Sequence, residues 1–419
     1  MRASTALRPL FRRLAGEDIP VRIEFWDGSH LGPAGAGATI RVRSPRALQR
    51  LLTAPGELGL GRAYVAGDLD IEGDLDAVLD IGVRRPDLRL GPGGVLAAVA
   101  GLARARALRP RRLTPPPEEA RLRGPLHSRS RDAAAIAHHY DVSNDFYRLV
   151  LGPALTYSCA YFSSPEATLE EAQADKNELI CRKLALRPGD RLLDVGCGWG
   201  TLAIHAATRF EAQVVGVTIS RRQAELAAKR VSEAGVADRV QIRLQDERDV
   251  DDEPFDAISS VGMFEHVGRE RLEEYFTHLH QLLRPRGRLL NHGIAKPPEP
   301  GRRRRSTFVN RYVFPDGELH EVGTVIGLMQ QVSFEVRDVE SMREHYALTL
   351  RRWVANLEAA RDEAVRLVGE GRYRVWRLYM AASARMFEAG RLQVHQVLAV
   401  RPAAGESAFP LRRGDLVLP

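Results

Sequence analysis

The run LLDVGCGWG at residues 192–200 constrains the fold more than any other feature of the chain. It sets Asp194, Gly196, Gly198 and Gly200 where an apolar, β-type run gives way to a helical stretch. Backbone at such a junction approaches a ligand at the strand's C-terminal edge only if side chains larger than hydrogen are absent. RLLDVG is the first of five such runs; VVGVTI, VQIRLQD, FDAISSVG and GRLLNHG follow in order. Helical stretches at 200–210, 221–235 and 270–284 separate them. Apolar runs without strict alternation suit parallel strands covered by helices on both faces. The expected fold is therefore α/β and Rossmann-like.

The glycines alone are shared with dinucleotide-binding proteins, so the neighbouring strand ends matter more. The second run ends in Thr218, Ile219 and Ser220, and the acidic residue expected about 20 positions after the glycines, for ribose hydroxyls, is missing. Thr218, Ser220 or Gln223 is left to make those bonds. The third run ends in Gln245-Asp246, placed for an adenine edge; the alternative for Asp246 is a helix cap.

A chain of 419 residues has room for two domains. The division expected is a small domain over 1–105, an Arg- and Pro-rich exposed linker over 106–131, a catalytic domain over 132–408 and a tail over 409–419. In the first, VRIEFWDGSHL reads as a hairpin turning at Asp27-Gly28, and ATIRVRSP as a strand stopped by Pro45. The repeat Gly67-Asp68-Leu69-Asp70 and Gly73-Asp74-Leu75-Asp76 lacks the spacing of a calcium loop and reads as turn plus helix cap. Near the C-terminus, LRRWVANLEAARDEAVRLV and YRVWRLYMAASARMFEAG read as amphipathic helices.

The charge balance, 61 Lys+Arg against 54 Asp+Glu, is mildly basic. The positive residues cluster between Arg104 and Arg131 and again at Arg302, Arg303, Arg304 and Arg305. Four adjacent arginines would attract anionic headgroups, and no aromatic platform or nucleic-acid motif accompanies them. Cys159, Cys181 and Cys197 show no CxxC spacing, which fits a reducing cytoplasm and excludes a disulfide framework. The N-terminal apolar run is broken by Arg12, Arg13 and Glu17, unlike a secretory signal, and no apolar stretch approaches 18 residues. A lipid-directed protein of this kind would be cytoplasmic, peripheral at the inner face of the cytoplasmic membrane.

Around the glycine run, HHYDVSNDFYRLVLGPALTYSCAYF (138–162), EEAQADK (170–176), LQDERD (244–249), SVGMFEHVG (260–268) and NHGI (291–294) occur in one order. Together they resemble the cyclopropane fatty acid synthases, the mycolic acid methyltransferases and the bacterial enzymes that install a mid-chain methylene or methyl branch. Residues 1–110 look like the N-terminal domain of the longer cyclopropane synthases. The resemblance implies a Rossmann-like S-adenosylmethionine-dependent methyltransferase domain with a smaller N-terminal α+β domain. It implies transfer of the sulfonium methyl to a cis double bond of a phospholipid acyl chain, through a carbocation that loses a proton. It also implies a bicarbonate ion as base, held by a backbone amide near Cys159 and by the side chains of Glu265, His292 and Tyr346. His266 would support Glu265 through a hydrogen bond, and Tyr157 and Ser158 would contact the cofactor, with Asp194, the three glycines and Glu247. No metal site is implied. A homodimer, and a downstream reductase if the product is a methylene, are the partners the family suggests.

Two positions depart from the family pattern. Glu247 in LQDERD stands where close cyclopropane synthases have tyrosine, and NHGI stands where they read HTI, so that Asn291-His292-Gly293 changes the packing of the base site. Both leave open whether the product is a cyclopropane or a mid-chain methylene. Two other readings stay in view: a methyltransferase for a soluble or carrier-bound unsaturated molecule, and a non-catalytic lipid-binding protein.

Overall fold

A computed structural model describes the whole chain except residues 17–18, 85–90, 106, 108–112, 141, 299–306 and 415–419. The N-terminal part supplies α1 (Ala3–Ala15), β1 (Arg22–Phe25), β2 (His30–Leu31), β3 (Ala38–Val42), α2 (Arg46–Thr53), α3 (Glu57–Val65), β4 (Leu69–Gly73), α4 (Leu75–Arg84) and α5 (Pro92–Arg104). Its strands form a sheet in the order β2-β1-β3-β4. β1 and β2 are the expected hairpin, with Gly28 at φ 78 and Ser29 donating to the Asp27 carboxylate. Asp74 receives the N–H of Asp76 at the start of α4, so the acidic repeat is turn and cap chemistry.

The remainder opens with α6 (Arg129–Tyr140), α7 (Asn144–Leu151) and α8 (Leu169–Lys183). It continues through β5 (Arg191–Val195), α9 (Thr201–Arg209), β6 (Gln213–Thr218), α10 (Arg221–Glu233), β7 (Val240–Leu244), β8 (Phe255–Val261), α11 (Leu272–Leu282) and β9 (Leu283–Ala295). After these come α12 (Phe308–Tyr312), α13 (Val322–Gln331), β10 (Glu335–Ser341), α14 (Arg343–Ala359), α15 (Arg361–Glu388) and β11 (Gln393–Val400). The seven-stranded sheet runs β10-β11-β9-β8-β5-β6-β7. The five strands from β9 to β7 are parallel, and β11 is antiparallel to both of its neighbours.

Both faces of the sheet's central strands are dry. Leu192, Ala257, Leu290 and Leu398 point into one apolar layer with α8 and α9, while Leu193, Ile258, Leu289 and Val397 point into another with α11 and α13. Successive strand residues face opposite sides, so a sheet buried on both sides needs apolar side chains at every position. The chain leaves β5 for β6 and β7 on one side, then returns to β8 and β9 on the other. Such a reversal opens a crevice at the strands' C-terminal ends.

The expected domain boundaries need correction. The chain forms two compact units, and the first contains Met1–Arg121, a stretch ending at Pro315, and Ala360–Ala389. The span 132–408 is thus not one continuous domain. Long-range pairs hold the later pieces in the first unit: Arg311 bonds Glu119 at 2.8 Å, Arg374 approaches Asp70, and Arg385 pairs with Asp80. The described part of 106–131 is not an exposed linker either. Glu119 is 3% exposed between Arg62 and Arg311, Ala120 and His127 are buried, and α6 begins at Arg129. The expected helix LRRWVANLEAARDEAVRLV is broken at Ala360, and Gly369 (φ 81) kinks α15. Arg302 to Arg305 lie outside the described residues.

Candidate active site

The glycine run becomes a loop of left-handed backbone. Gly196, Gly198 and Gly200 have φ of 73, 56 and 78, conformations that cost an L-residue strain. The N–H groups of Gly196 and Cys197 both donate to the Val217 carbonyl, which ties the loop to β6. Gly200 caps α9, and a Cβ there would come within 3.2 Å of Ala227 on α10.

This loop borders a cavity of about 710 Å³. Of the predicted cofactor residues, Tyr157, Ser158, Asp194, Gly196, Gly198, Thr218, Gln223, Gln245 and Glu247 line it. Asp194 is buried and accepts from Ser259 Oγ at 2.8 Å; burial raises its pKa to about 6. Thr218 Oγ1 donates to Gln223 Oε1 at 2.9 Å, so these two form one polar ledge. Glu247 sits where burial, then the neighbouring Asp246 charge, lift its pKa to about 7. Three predicted contacts play other parts. Gly200 packs behind the loop, Ser220 caps α10 through the Gln223 N–H, and Asp246 caps a short 3-10 turn while binding Arg248. The cap alternative for Asp246 is the one seen.

Of the five catalytic candidates, only His266 lines this cavity. The expected hydrogen bond from His266 to Glu265 is not formed. Both belong to the 3-10 turn Phe264–His266, whose successive side chains diverge. Glu265 instead turns to β9, where Oε1 accepts the Ile294 N–H at 2.7 Å. Its Oε2 is buried without a partner among the described residues, and burial raises its pKa to about 7. His292, two residues before Ile294, bonds Gln396 of β11 through Nδ1 at 3.2 Å, and its buried Nε2 lacks a partner among the described residues. Burial, then Lys176 and Lys183, hold its pKa down at about 3, so the ring is neutral. Gly262, on the cavity wall, donates to the His292 carbonyl at 2.8 Å, so this second centre adjoins the first.

Cys159 and Tyr346 reach the same end of β11 through Met342. The Cys159 thiol lies 3.2 Å from the Ala160 carbonyl and 3.7 Å from that of Met342, and Met342 N–H donates to Val394. Tyr346 stands one helical turn beyond Met342, edge-on to Trp353. Burial pushes the Cys159 pKa well up, so this residue is packed as a thiol.

Several residues escaped the motif reading. Gln173 and Lys176 on α8 hold the segment 156–158 by hydrogen bonds, and Lys176 also lines the cavity. Trp199 donates to Asn144 at 2.9 Å and stacks near Tyr147, placing an aromatic wall beside Tyr157 and Tyr140. The spacing of Gln173 and Lys176, three apart in EEAQADK, was the available signal: it puts both on one helix face. The replacement of HTI by NHGI also acquires a reason. A Cβ on Gly293 would overlap the ring of Phe264, so this packing admits only glycine.

A seven-stranded sheet with β11 inserted antiparallel between β10 and the parallel strand β9, a glycine loop after β5 and a cavity at the point where the strand order reverses is the architecture of the S-adenosylmethionine-dependent methyltransferases. The cavity's carboxylates, amides and aromatic rings fit that cationic, adenosine-bearing cofactor, whose methyl group supplies the electrophile when bound. The family described as mycolic acid cyclopropane synthetase matches residues 127–397, and the chain belongs to it. Residues 7–90 match a domain of unknown function. A probable fatty acid methyltransferase of Mycobacterium tuberculosis is 46% identical over 404 residues, covering 94% of each chain. A probable fatty acid methyltransferase of Pseudomonas putida is 42% identical, covering 95% of this chain and 96% of its own. The structure of the mycolic acid cyclopropane synthase CmaA1 complexed with SAH and CTAB superposes with a TM-score of 0.61 at 36% identity. It covers 64% of this chain and 98% of that one.

Proposed function

We propose that this methyltransferase acts on a cis double bond within an unsaturated phospholipid acyl chain, leaving a cyclopropane ring or a mid-chain methylene branch. One observation carries the reading: two buried polar atoms without partners among the described residues, Glu265 Oε2 and His292 Nε2, adjoin the cofactor cavity. An alkene is a weak nucleophile, so chemistry on it needs a dry site and a weak base at a fixed place. With Nδ1 engaged by Gln396, the neutral imidazole offers its Nε2 to a guest, as donor or acceptor according to its tautomer. Glu265, with its raised pKa, is shared near neutrality between a carboxylate and a carboxyl that can donate. These groups, with the backbone at Cys159 and the Tyr346 hydroxyl, would hold bicarbonate, which supplies the base. Lys176 and Asp194 line the cofactor cavity, and aromatic rings pack around Tyr157. The same reading puts the enzyme at the cytoplasmic face of the membrane, working from outside the bilayer.

The test is incubation with vesicles of mono-unsaturated phospholipid and S-adenosylmethionine carrying a trideuterated methyl group. Lipid heavier by a CD₂ unit is expected, and NMR then distinguishes ring from alkene. Unlabelled lipid, despite cofactor binding and added bicarbonate, would overturn the reading in favour of a soluble or carrier-bound substrate.

A further inference from the structure

We propose that the outer face of α5 and α1 in the N-terminal unit is a docking surface for an anionic phospholipid bilayer; the inference rests on the lipid-substrate reading above. α5, PGGVLAAVAGLAR, has no ionisable side chain before Arg104. One side of it is spent on the core. Ala98 and Leu102 are buried, and Gly101 lies so close to α1 that a Cβ would stand 2.7 Å from Leu7 and 2.9 Å from the Ala6 carbonyl. The other side is apolar too, and it faces water. Leu96 is 70% exposed and Val99 37%, with Ala103 exposed beyond them. At spacings of three and four these residues form one stripe along the helix.

Within these two helices the charge has a single sign. Neither α1 nor α5 contains an Asp or Glu, and Arg8, Arg12 and Arg13 of α1 are exposed. The Arg13 guanidinium reaches within 2.6 Å of where a Cβ on Gly93 would stand, so a cation lies at the N-terminal end of the stripe. Arg104, exposed, lies at the other end. A helix with an apolar outer face and arginines at its margins lies flat in a bilayer interface, side chains among the acyl chains and guanidiniums among phosphates. The sign of the charge selects anionic lipid, each arginine contributing about fivefold to partition at low salt. Screening over about 8 Å at physiological ionic strength makes this contribution salt-sensitive.

The experiment is sedimentation of the full chain with oleoyl vesicles of phosphatidylcholine alone or mixed with phosphatidylglycerol. Wild type is compared with L96E/V99E and R8Q/R13Q. At low salt L96E/V99E is expected to lower partition onto the anionic vesicles by about tenfold and R8Q/R13Q by about 25-fold, the latter also flattening its salt dependence. Melting temperature, cofactor affinity and methylation of detergent-micelle lipid should be unchanged. Equal partition by wild type and L96E/V99E overturns the docking face. So does a loss of oligomer mass in light scattering without a change in partition, which would make the stripe a contact between copies. The two readings separate cleanly: absence of methylation by wild type in micelles overturns the lipid-substrate reading, while the vesicle comparison judges the docking face.

Discussion

Lys176 donates to the Ser158 hydroxyl across 3.3 Å, and both residues are buried. Three residues earlier on the same helix, Gln173 donates to the carbonyls of Ser158 at 2.9 Å and Thr156 at 3.4 Å. The segment they hold supplies Tyr157 and Ser158 to the cofactor cavity and continues into Cys159 at the second centre. α8 therefore fixes the spacing between the two centres.

Replacing Gln173 by Leu strands two buried carbonyls, at a cost of about 1–3 kcal/mol for each group left unpaired. Replacing Lys176 by Met removes the cation that faces Asp194 and the Ser158 contact. K176M is expected to weaken S-adenosylmethionine about tenfold, roughly 1.4 kcal/mol, in a calorimetric titration. Unchanged affinity in a folded K176M protein would show that the lysine only fills space.

The Glu265 carboxyl gives a signed pH effect. Its folded pKa, about 7, lies above the ordinary 4.5 because burial disfavours the charge. Between those values the folded protein holds the proton that the unfolded chain has lost, so stability falls as pH rises. E265Q removes this loss and still accepts the Ile294 N–H. It is expected to melt no higher than wild type at pH 4.5 but higher at pH 8, by up to about 3 kcal/mol. The same variant should lose acyl-chain methylation while retaining cofactor binding. Melting curves that stay parallel between the two pH values would contradict the buried-charge account.

Gly293 has no room for a methyl group beneath the Phe264 ring. G293A is expected to cost about 1–3 kcal/mol through overpacking and to disturb the adjacent His292. F264L should recover part of that loss in the double variant, giving a coupling energy above about 0.5 kcal/mol in a thermodynamic cycle. Additive effects of the two substitutions would deny the contact.

Glu119 lies 2.7 Å from Arg62 and 2.8 Å from Arg311. Burial alone would raise its pKa, but the Arg62 and Arg311 bonds outweigh it and hold the carboxylate below the ordinary range. E119A leaves Arg62, itself largely buried, without its anion, for an expected loss of about 3–5 kcal/mol. The wild-type ion pairs are present above the usual carboxylate pKa and are lost as pH falls through the lowered one. Denaturant titrations of wild type and E119A at neutral and acidic pH test both statements.

The local grammar of the chain was enough to place its main sheet. The five apolar runs became β5 to β9, and the glycine loop, the Asp27-Gly28 hairpin and the polar ledge at Thr218 stand where residue type and spacing put them. These features depend on backbone freedom and on a period of one or two residues, which a linear string displays. Family motifs further marked Glu265, His292 and Tyr346, with the backbone near Cys159, as one site. What they could not display was direction. Only the folded chain turns Glu265 away from His266 and onto Ile294, makes Asp246 a cap, and bonds Gln173 and Lys176 to Ser158. Nor could they reveal that Arg311 and α15 complete the N-terminal unit, since the partner of Arg311 is 192 residues away in sequence. Strand and loop are decided by neighbours along the chain. Ion pairs, buried unpartnered atoms and the closeness of Phe264 to Gly293 are decided by which surfaces meet when the apolar layers close, and that is settled in three dimensions.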